Sequence, residues 1–255
     1  MTATKAEDVV EVLNPAGESP VVLVCEHASS FIPPELQDLG LASADRLSHA
    51  AWDPGALAVA RRMAERLDAK LVASNVSRLV YDCNRPPSAP DAMPARSELV
   101  VVPGNAELDD VARQARADTY YHPFRKTLAD TIKTTAARGA TPVIVTVHSF
   151  TPVYHGHPRT VEIGILHDSD TRLADGMLEA AQGSAFVVQR NEPYGPENGV
   201  THTLKEHGLP FGYANVMLEV RNDLIGSDRQ QRDMGDTICD WLESAMTALS
   251  EEGQA

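Results

Sequence analysis

Two histidines in this 255-residue chain stand at the ends of apolar runs: His27 follows Val21–Cys25 and Glu26, and His148 follows Pro142–Val147. A neutral imidazole just past a strand end is a good metal ligand, although a histidine taken singly is more often structural. As a pair on one sheet edge, with Glu26 and Asp53 in reach, they form a His-His-carboxylate set. Such a set leaves zinc an open position for water, which is the catalytic arrangement. Asp53 also has a plainer reading as the cap of a helix beginning at Pro54. Glu219 ends an almost wholly apolar stretch, so desolvation should raise its pKa toward that of a general base for metal-activated water. The competing reading is a salt bridge with Arg221, two residues on and on the same strand face. Arg78, Arg85 and Arg221 offer planar forks for carboxylates, and Asn84 adds amide donors. Together they predict a local positive pocket for a small anion, with Asp82 orienting one of them or capping its loop. Tyr194, with Asn191 and Gly195, lies in a turn-like stretch that reads as a binding loop or merely a turn.

The elements that must position these groups follow from the hydrophobic pattern. Runs rich in Val, Ile and Leu predict strands at Val21–Cys25, Leu71–Val76, Pro142–Val147, Val161–Leu166, Phe186–Gln189 and Val216–Val220. Helical spacing predicts helices over Pro54–Leu67, Leu108–Arg138 with a break or kink at Pro123, Ser169–Gln182, and from Asp228 to about Leu249 with Ser227 as cap. Strands alternating with helices predict an α/β fold with a mainly parallel or mixed central sheet flanked by helices. In such a fold ligands bind outside the carboxyl ends of the strands, where four polar strand ends gather here. Two Pro- and Gly-rich stretches, Asp82–Gly104 and Phe150–Arg159, read as long loops, functional or disordered.

Composition bounds the rest. The chain carries 22 Lys and Arg against 36 Asp and Glu, a net charge of −14. Without a basic stripe it would repel nucleic acid and anionic membranes. The apolar runs are far shorter than a membrane span requires. An acidic N-terminus in place of a basic leader, and three scattered cysteines without a CxxC spacing, predict a cytoplasmic protein and no thiolate zinc site. No break in composition looks like a linker, so one domain over 1–255 is expected; oligomeric state is open. Nucleotide-loop, dinucleotide, serine-hydrolase and HExxH signatures are absent.

The stretches CEHASSFIP, AWDPGA, SRLVYDCNRP, VTVHSFTP, VEIGILHD, NEPYGP and LEVRNDLI, in that order, resemble the N-formylglutamate amidohydrolase family over about Val21 to Ile225. The resemblance implies a zinc-carboxypeptidase-like α/β fold, one zinc ion, and hydrolysis of N-formyl-L-glutamate to formate and L-glutamate, as in histidine breakdown. It also implies kinship with the aspartoacylase group, whose pattern makes His27 and His148 metal ligands, Asn84-Arg85 a carboxylate clamp and Glu219 the general base. The third residue after His27 is Ser30, where the wider pattern has a glutamate ligand. The carboxylate ligand is therefore assigned to Asp53, with Glu26 second. Arg78 would aid the developing oxyanion, Arg85 and Arg221 would hold the substrate carboxylates, and Asn222 and Tyr194 complete the expected contacts. A thiol hydrolase using Cys25 or Cys83, a hydrolase of another N-acyl amino acid, and a non-enzymatic binder of acidic amino acids are the competing functions.

Overall fold

A computed structural model describes residues 9–252; the acidic stretch before Val9 lies outside the described residues. A seven-stranded sheet forms the centre. Its strands are β1 (Val10–Leu13), β2 (Val21–Cys25), β3 (Lys70–Ser74), β4 (Val143–Phe150), β5 (Ile163–Leu166), β6 (Val188–Arg190) and β7 (Asn215–Arg221). They lie in the order β1-β3-β2-β4-β7-β5-β6. Strands β3, β2, β4 and β7 run parallel, β1 is antiparallel to β3, and the parallel pair β5-β6 runs antiparallel to β7. The predicted mixed α/β class thus stands, with one edge strand, β1, that sequence reading passed over. At four residues, three of them only partly buried, it gives little apolar signal.

Both faces of the sheet are covered, which explains the nearly continuous apolar strands. Along β2, Val21, Leu23 and Cys25 enter one core while Val22 and Val24 enter the other. The first core lies under helices α1 (Ala56–Leu67), α4 (Arg172–Ala180) and α6 (Asp228–Glu252), through residues such as Met63, Met177 and Ile238. The second lies under α2 (Asp110–Arg116) and α3 (His122–Ala136), with a short α5 (His202–His207) at its edge. Asp109 caps α2 by accepting from the Ala112 N–H at 2.8 Å. Ser227 Oγ accepts from the Gln230 N–H at 3.4 Å, the position expected of a cap for α6.

Three local expectations are corrected. The break anticipated at Pro123 is a π-helical turn, Ala117–Tyr121, joining α2 to α3, and Pro123 sits in the first turn of α3, where its missing N–H does no harm. The Pro-rich stretch Asp82–Gly104 is packed, not disordered, with Ala92, Met93 and Val102 buried in the second core. Asp53 is not a side-chain cap: α1 starts at Ala56 after Gly55. Gly55 adopts φ +85°, and a Cβ there would stand 2.7 Å from the Ile225 carbonyl oxygen. That left-handed turn leaves the Asp53 side chain out of the helix end. No helix among the described residues is long and apolar enough to cross a membrane.

Candidate active site

Strand parity sets the site. On β7, Val216, Leu218 and Val220 enter the first core, so Met217 and Glu219 face the other side. On β4, Val143, Val145 and Val147 do likewise, which turns Ile144, Thr146 and His148 the same way as Glu219. The parallel register pairs Glu219 with His148, so two chemical groups from strands some seventy residues apart in sequence become neighbours. A slip of one residue would bury both under the wrong helices. His27 comes from just past β2, and its carbonyl accepts the Asp53 N–H at 2.9 Å, which draws the AWDPGA turn onto the strand end.

At the centre three donor atoms converge. His27 Nδ1 lies 3.1 Å and His148 Nδ1 2.9 Å from the same oxygen, Asp53 Oδ2, and the two imidazole nitrogens are 3.1 Å apart. The rings meet edge-on, 4.8 Å between centroids. Each imidazole is backed on its far nitrogen by a second carboxylate. Asp82 Oδ1 stands 2.7 Å from His27 Nε2, and Glu26 Oε2 stands 3.1 Å from His148 Nε2 without the angle of a good hydrogen bond. With a metal held at the centre, this pattern would give the Nε2 protons to the outer carboxylates and leave both Nδ1 lone pairs turned inward. Among the described residues this buried His27, Asp53 and His148 group can hold a metal ion. Glu26, second choice as carboxylate ligand, sits behind His148 and not beside Asp53.

The electrostatics fit this geometry. Burial works against both imidazolium charges, and Arg78 opposes that of His27 too, yet Asp82 and Asp53 raise His27, while Glu26 and Asp53 hold His148 well above its ordinary value. Burial by itself would raise Asp53 and Asp82, but His27 and Arg78 keep both ionised far below the usual carboxylate range. Arg78 donates to Asp53 Oδ1 at 3.4 Å and to Asp82 Oδ2 at 3.0 Å, locking the two acids in place. Glu219 goes the other way. Burial dominates, His148 and Asp53 pull in opposite senses, and its pKa rises from 4.5 to about 7. One of its oxygens, Oε2, has no hydrogen-bond partner among the described residues. A buried carboxylate poised near neutrality beside a metal-binding set is suited to take and return a proton.

These groups border a cavity of about 480 Å³, within the range of small-molecule sites. Arg78, Arg85, Asn84 and Tyr194 line it as expected, whereas Arg221 and Asn222 do not. The guanidinium of Arg221 is taken by Asp223 at 2.8 Å and Glu162 at 3.2 Å, so the anticipated pair with Glu219 does not form either. Both amide atoms of Asn84 are engaged: Nδ2 donates to the Val200 carbonyl at 2.5 Å and Oδ1 accepts the Thr203 N–H at 3.0 Å. Arg85 binds Asp91 and the carbonyls of Asn84 and Gly199 through Nε and Nη1, leaving Nη2 outside these bonds.

Arg159 lines the cavity too, and sequence reading missed it. Its guanidinium carbon lies 5.4, 4.5 and 4.9 Å from the ring centroids of Phe150, Tyr154 and Tyr194. Nη1 donates to the Thr151 carbonyl at 3.3 Å and Nη2 to the Tyr194 hydroxyl at 2.8 Å. No carboxylate among the described residues pairs with it, unlike Arg78 and Arg85. The only pointer in the sequence was that Phe150–Arg159 forms one of the two irregular, Pro-rich stretches. Glu98, also unforeseen, accepts the His155 N–H at 3.1 Å and meets His49 Nε2 at 2.6 Å. It thereby joins two short ribbons, Arg96–Ser97 with Val100–Val101 and Val153–Tyr154 with His157–Pro158, at the cavity lining.

The thiol alternative loses support. Cys25 and Cys83 are buried, and burial pushes both thiols well above their ordinary value, away from the thiolate a nucleophile needs.

A family model described as N-formylglutamate amidohydrolase matches residues 19–226. A gene product from Agrobacterium tumefaciens, of known crystal structure, is 51% identical and superimposes with a TM-score of 0.94 over 96% of this chain and 97% of that one. An N-formylglutamate amidohydrolase from Ralstonia eutropha is 16% identical and shares the fold, with a TM-score of 0.62 over 94% of this chain and 98% of that one. No curated protein matches the chain.

Proposed function

The chain belongs to the N-formylglutamate amidohydrolase family, and we propose that it hydrolyses N-formyl-L-glutamate to formate and L-glutamate at the cavity above β2, β4 and β7, with one zinc ion held by His27, Asp53 and His148. The family makes it a hydrolase of the amidohydrolase type; the substrate and the metal are our reading. The observation that carries it is the convergence of two Nδ1 atoms and one carboxylate oxygen at 2.9 to 3.1 Å beside the desolvated Glu219. Donor atoms around a tetrahedral zinc stand roughly 3.3 Å apart for bonds of about 2.0 to 2.1 Å, so the set fits with a slight expansion. Two imidazoles and one carboxylate also match the ligand chemistry of catalytic zinc, and each imidazole has the outer carboxylate that such ligands use.

Bound zinc supplies Lewis acidity and draws the pKa of water down toward about 7. Glu219 then accepts a proton from the water that attacks the formyl carbon. As the C–N bond breaks, the same carboxyl group returns a proton to the leaving nitrogen, giving formate and the free amine of glutamate. Burial, which raises its pKa above the ordinary carboxylate value, favours holding the proton between the two transfers. Arg78 lines the cavity with its guanidinium held by Asp53 and Asp82, and the N–H groups outside those two bonds are our candidates to donate to the developing acyl oxyanion. Arg159 replaces Arg221 as a holder of a substrate carboxylate, since it lines the cavity without an internal carboxylate partner. Arg85, through Nη2, and Tyr194 complete the contacts. The aromatic frame around Arg159 keeps its guanidinium in place while leaving it charged.

The test is metal analysis of the purified protein together with formate release from N-formyl-L-glutamate and other N-acyl amino acids. Stoichiometric zinc with formate release greatest for the glutamate derivative is expected. A protein that takes up zinc but releases formate from none of these compounds would overturn the assignment of substrate. Full activity after exhaustive chelation would overturn the metal.

A further inference from the structure

Glu26 has no exposure to solvent, and neither of its oxygens faces the convergent centre formed by His27, His148 and Asp53. Its Oε1 accepts the Thr203 hydroxyl at 2.6 Å, and its Oε2 stands 3.1 Å from His148 Nε2. Thr203 lies in the first turn of α5 and is itself 3% exposed. Its backbone N–H, one of the donors a helix start leaves without an internal acceptor, goes to Asn84 Oδ1 at 3.0 Å. The segment leading into it is pinned as well, with the Val200 carbonyl on Asn84 Nδ2 and the Gly199 carbonyl on Arg85 Nη1. The hydroxyl is thus delivered to Glu26 by backbone fixed at several points.

We propose that Thr203 is a positioning residue for the metal centre: its hydroxyl holds the Glu26 carboxylate so that Oε2 receives the Nε2 proton of His148, which keeps the Nδ1 lone pair of His148 turned to the metal. This rests on the reading of His148 as a metal ligand and goes beyond it, because neither Thr203 nor Glu26 touches substrate or the convergent donor atoms. The physical reason is the scarcity of partners. Apart from the close contact with His148, the Thr203 hydroxyl makes the one side-chain hydrogen bond to Glu26 among the described residues. Without the hydroxyl, a fully buried oxygen would be left bare, and the carboxyl group would turn to find another partner. That turn removes the acceptor that fixes the imidazole tautomer. His27 has the parallel arrangement, with Asp82 held by Arg78 and by the Asn84 N–H at 2.9 Å. Asn84 therefore joins both supports, which accounts for its two engaged amide atoms.

The measurement is zinc affinity of the metal-stripped full chain, by competition with a chelating dye, for wild type, Thr203→Val, Thr203→Ser and Glu26→Gln. Thr203→Val keeps the shape and removes the hydroxyl; binding should weaken roughly 10- to 100-fold, the usual loss for an outer partner of a metal ligand. Thr203→Ser should restore wild-type affinity, a rescue that a mere packing role of the methyl group would not give. Glu26→Gln should weaken binding at least as much, because its amide donates toward His148 Nε2 and favours the wrong tautomer. Nitrogen-15 spectra of the imidazoles follow the His148 tautomer directly, even in a variant of lowered stability. Wild-type affinity in Thr203→Val, with wild type itself binding zinc, overturns this inference alone. A wild-type chain that takes up no zinc overturns the metal reading and this inference with it.

Discussion

Replacing Glu219 by Gln should make the metal-free protein more stable at alkaline pH while abolishing turnover. Glu219 is 4% exposed, and burial is the main reason its pKa rises from 4.5 to about 7. The unfolded chain releases this proton near pH 4.5 and the folded chain only near 7, so between those values the folded state binds more protons. The stabilisation this gives is fully present below pH 4.5 and is lost as pH rises through about 7. At about 1.4 kcal/mol per pH unit, the gap corresponds to roughly 3 kcal/mol. Glutamine has nearly the same volume and never ionises. Urea unfolding of both proteins in chelator at pH 5 and pH 8 isolates the effect, because the other titrating groups are common to both. The stability of the variant relative to wild type should rise by roughly 3 kcal/mol between the two conditions, within a factor of two for the neighbouring charges. A bound cation favours the ionised carboxylate, so zinc-loaded protein should show a smaller difference. Formate release by the variant should fall by about 10²- to 10⁴-fold with zinc retained. A stability difference that does not change with pH would refute the desolvated-base reasoning, and undiminished turnover would refute the role.

Other outcomes follow from the same geometry. Zinc uptake should strengthen with rising pH and release protons, because the raised pKa values of His27 and His148 place protons in the metal-free site; calorimetry in buffers of different ionisation heat measures this. Arg159→Gln should raise KM for N-formylglutamate by about 10- to 100-fold with a smaller change in kcat, as expected for the loss of one charge-assisted bond to a substrate carboxylate. A thiol reagent should leave activity intact while a chelator removes it, since Cys25 and Cys83 are buried with raised pKa values. Gly55→Ala should lower stability by about 1 to 3 kcal/mol in chemical unfolding and weaken zinc binding, because the added Cβ meets the Ile225 carbonyl and displaces the turn carrying Asp53.

The sequence by itself determined the class of fold, the apolar strands and the strand-end histidines, because periodicity and residue type are local properties. It also pointed to desolvation of Glu219 at the end of an apolar run, with a salt bridge to Arg221 as an equal reading, and burial of both faces of β7 decided between them. Tertiary structure decided everything that depends on two distant segments meeting. Glu26 adjoins His27 and Asp53 lies 26 residues further on, yet only the left-handed turn at Gly55 and the packing of α1 put Asp53 between the two Nδ1 atoms and Glu26 behind His148. Arg221 seemed placed for substrate by its strand and was lost to Glu162 and Asp223, while Arg159, unremarkable in a Pro-rich loop, was gathered by three aromatic rings into the cavity. A guanidinium's role follows from which carboxylates already neutralise it, and that is a property of space rather than of order along the chain.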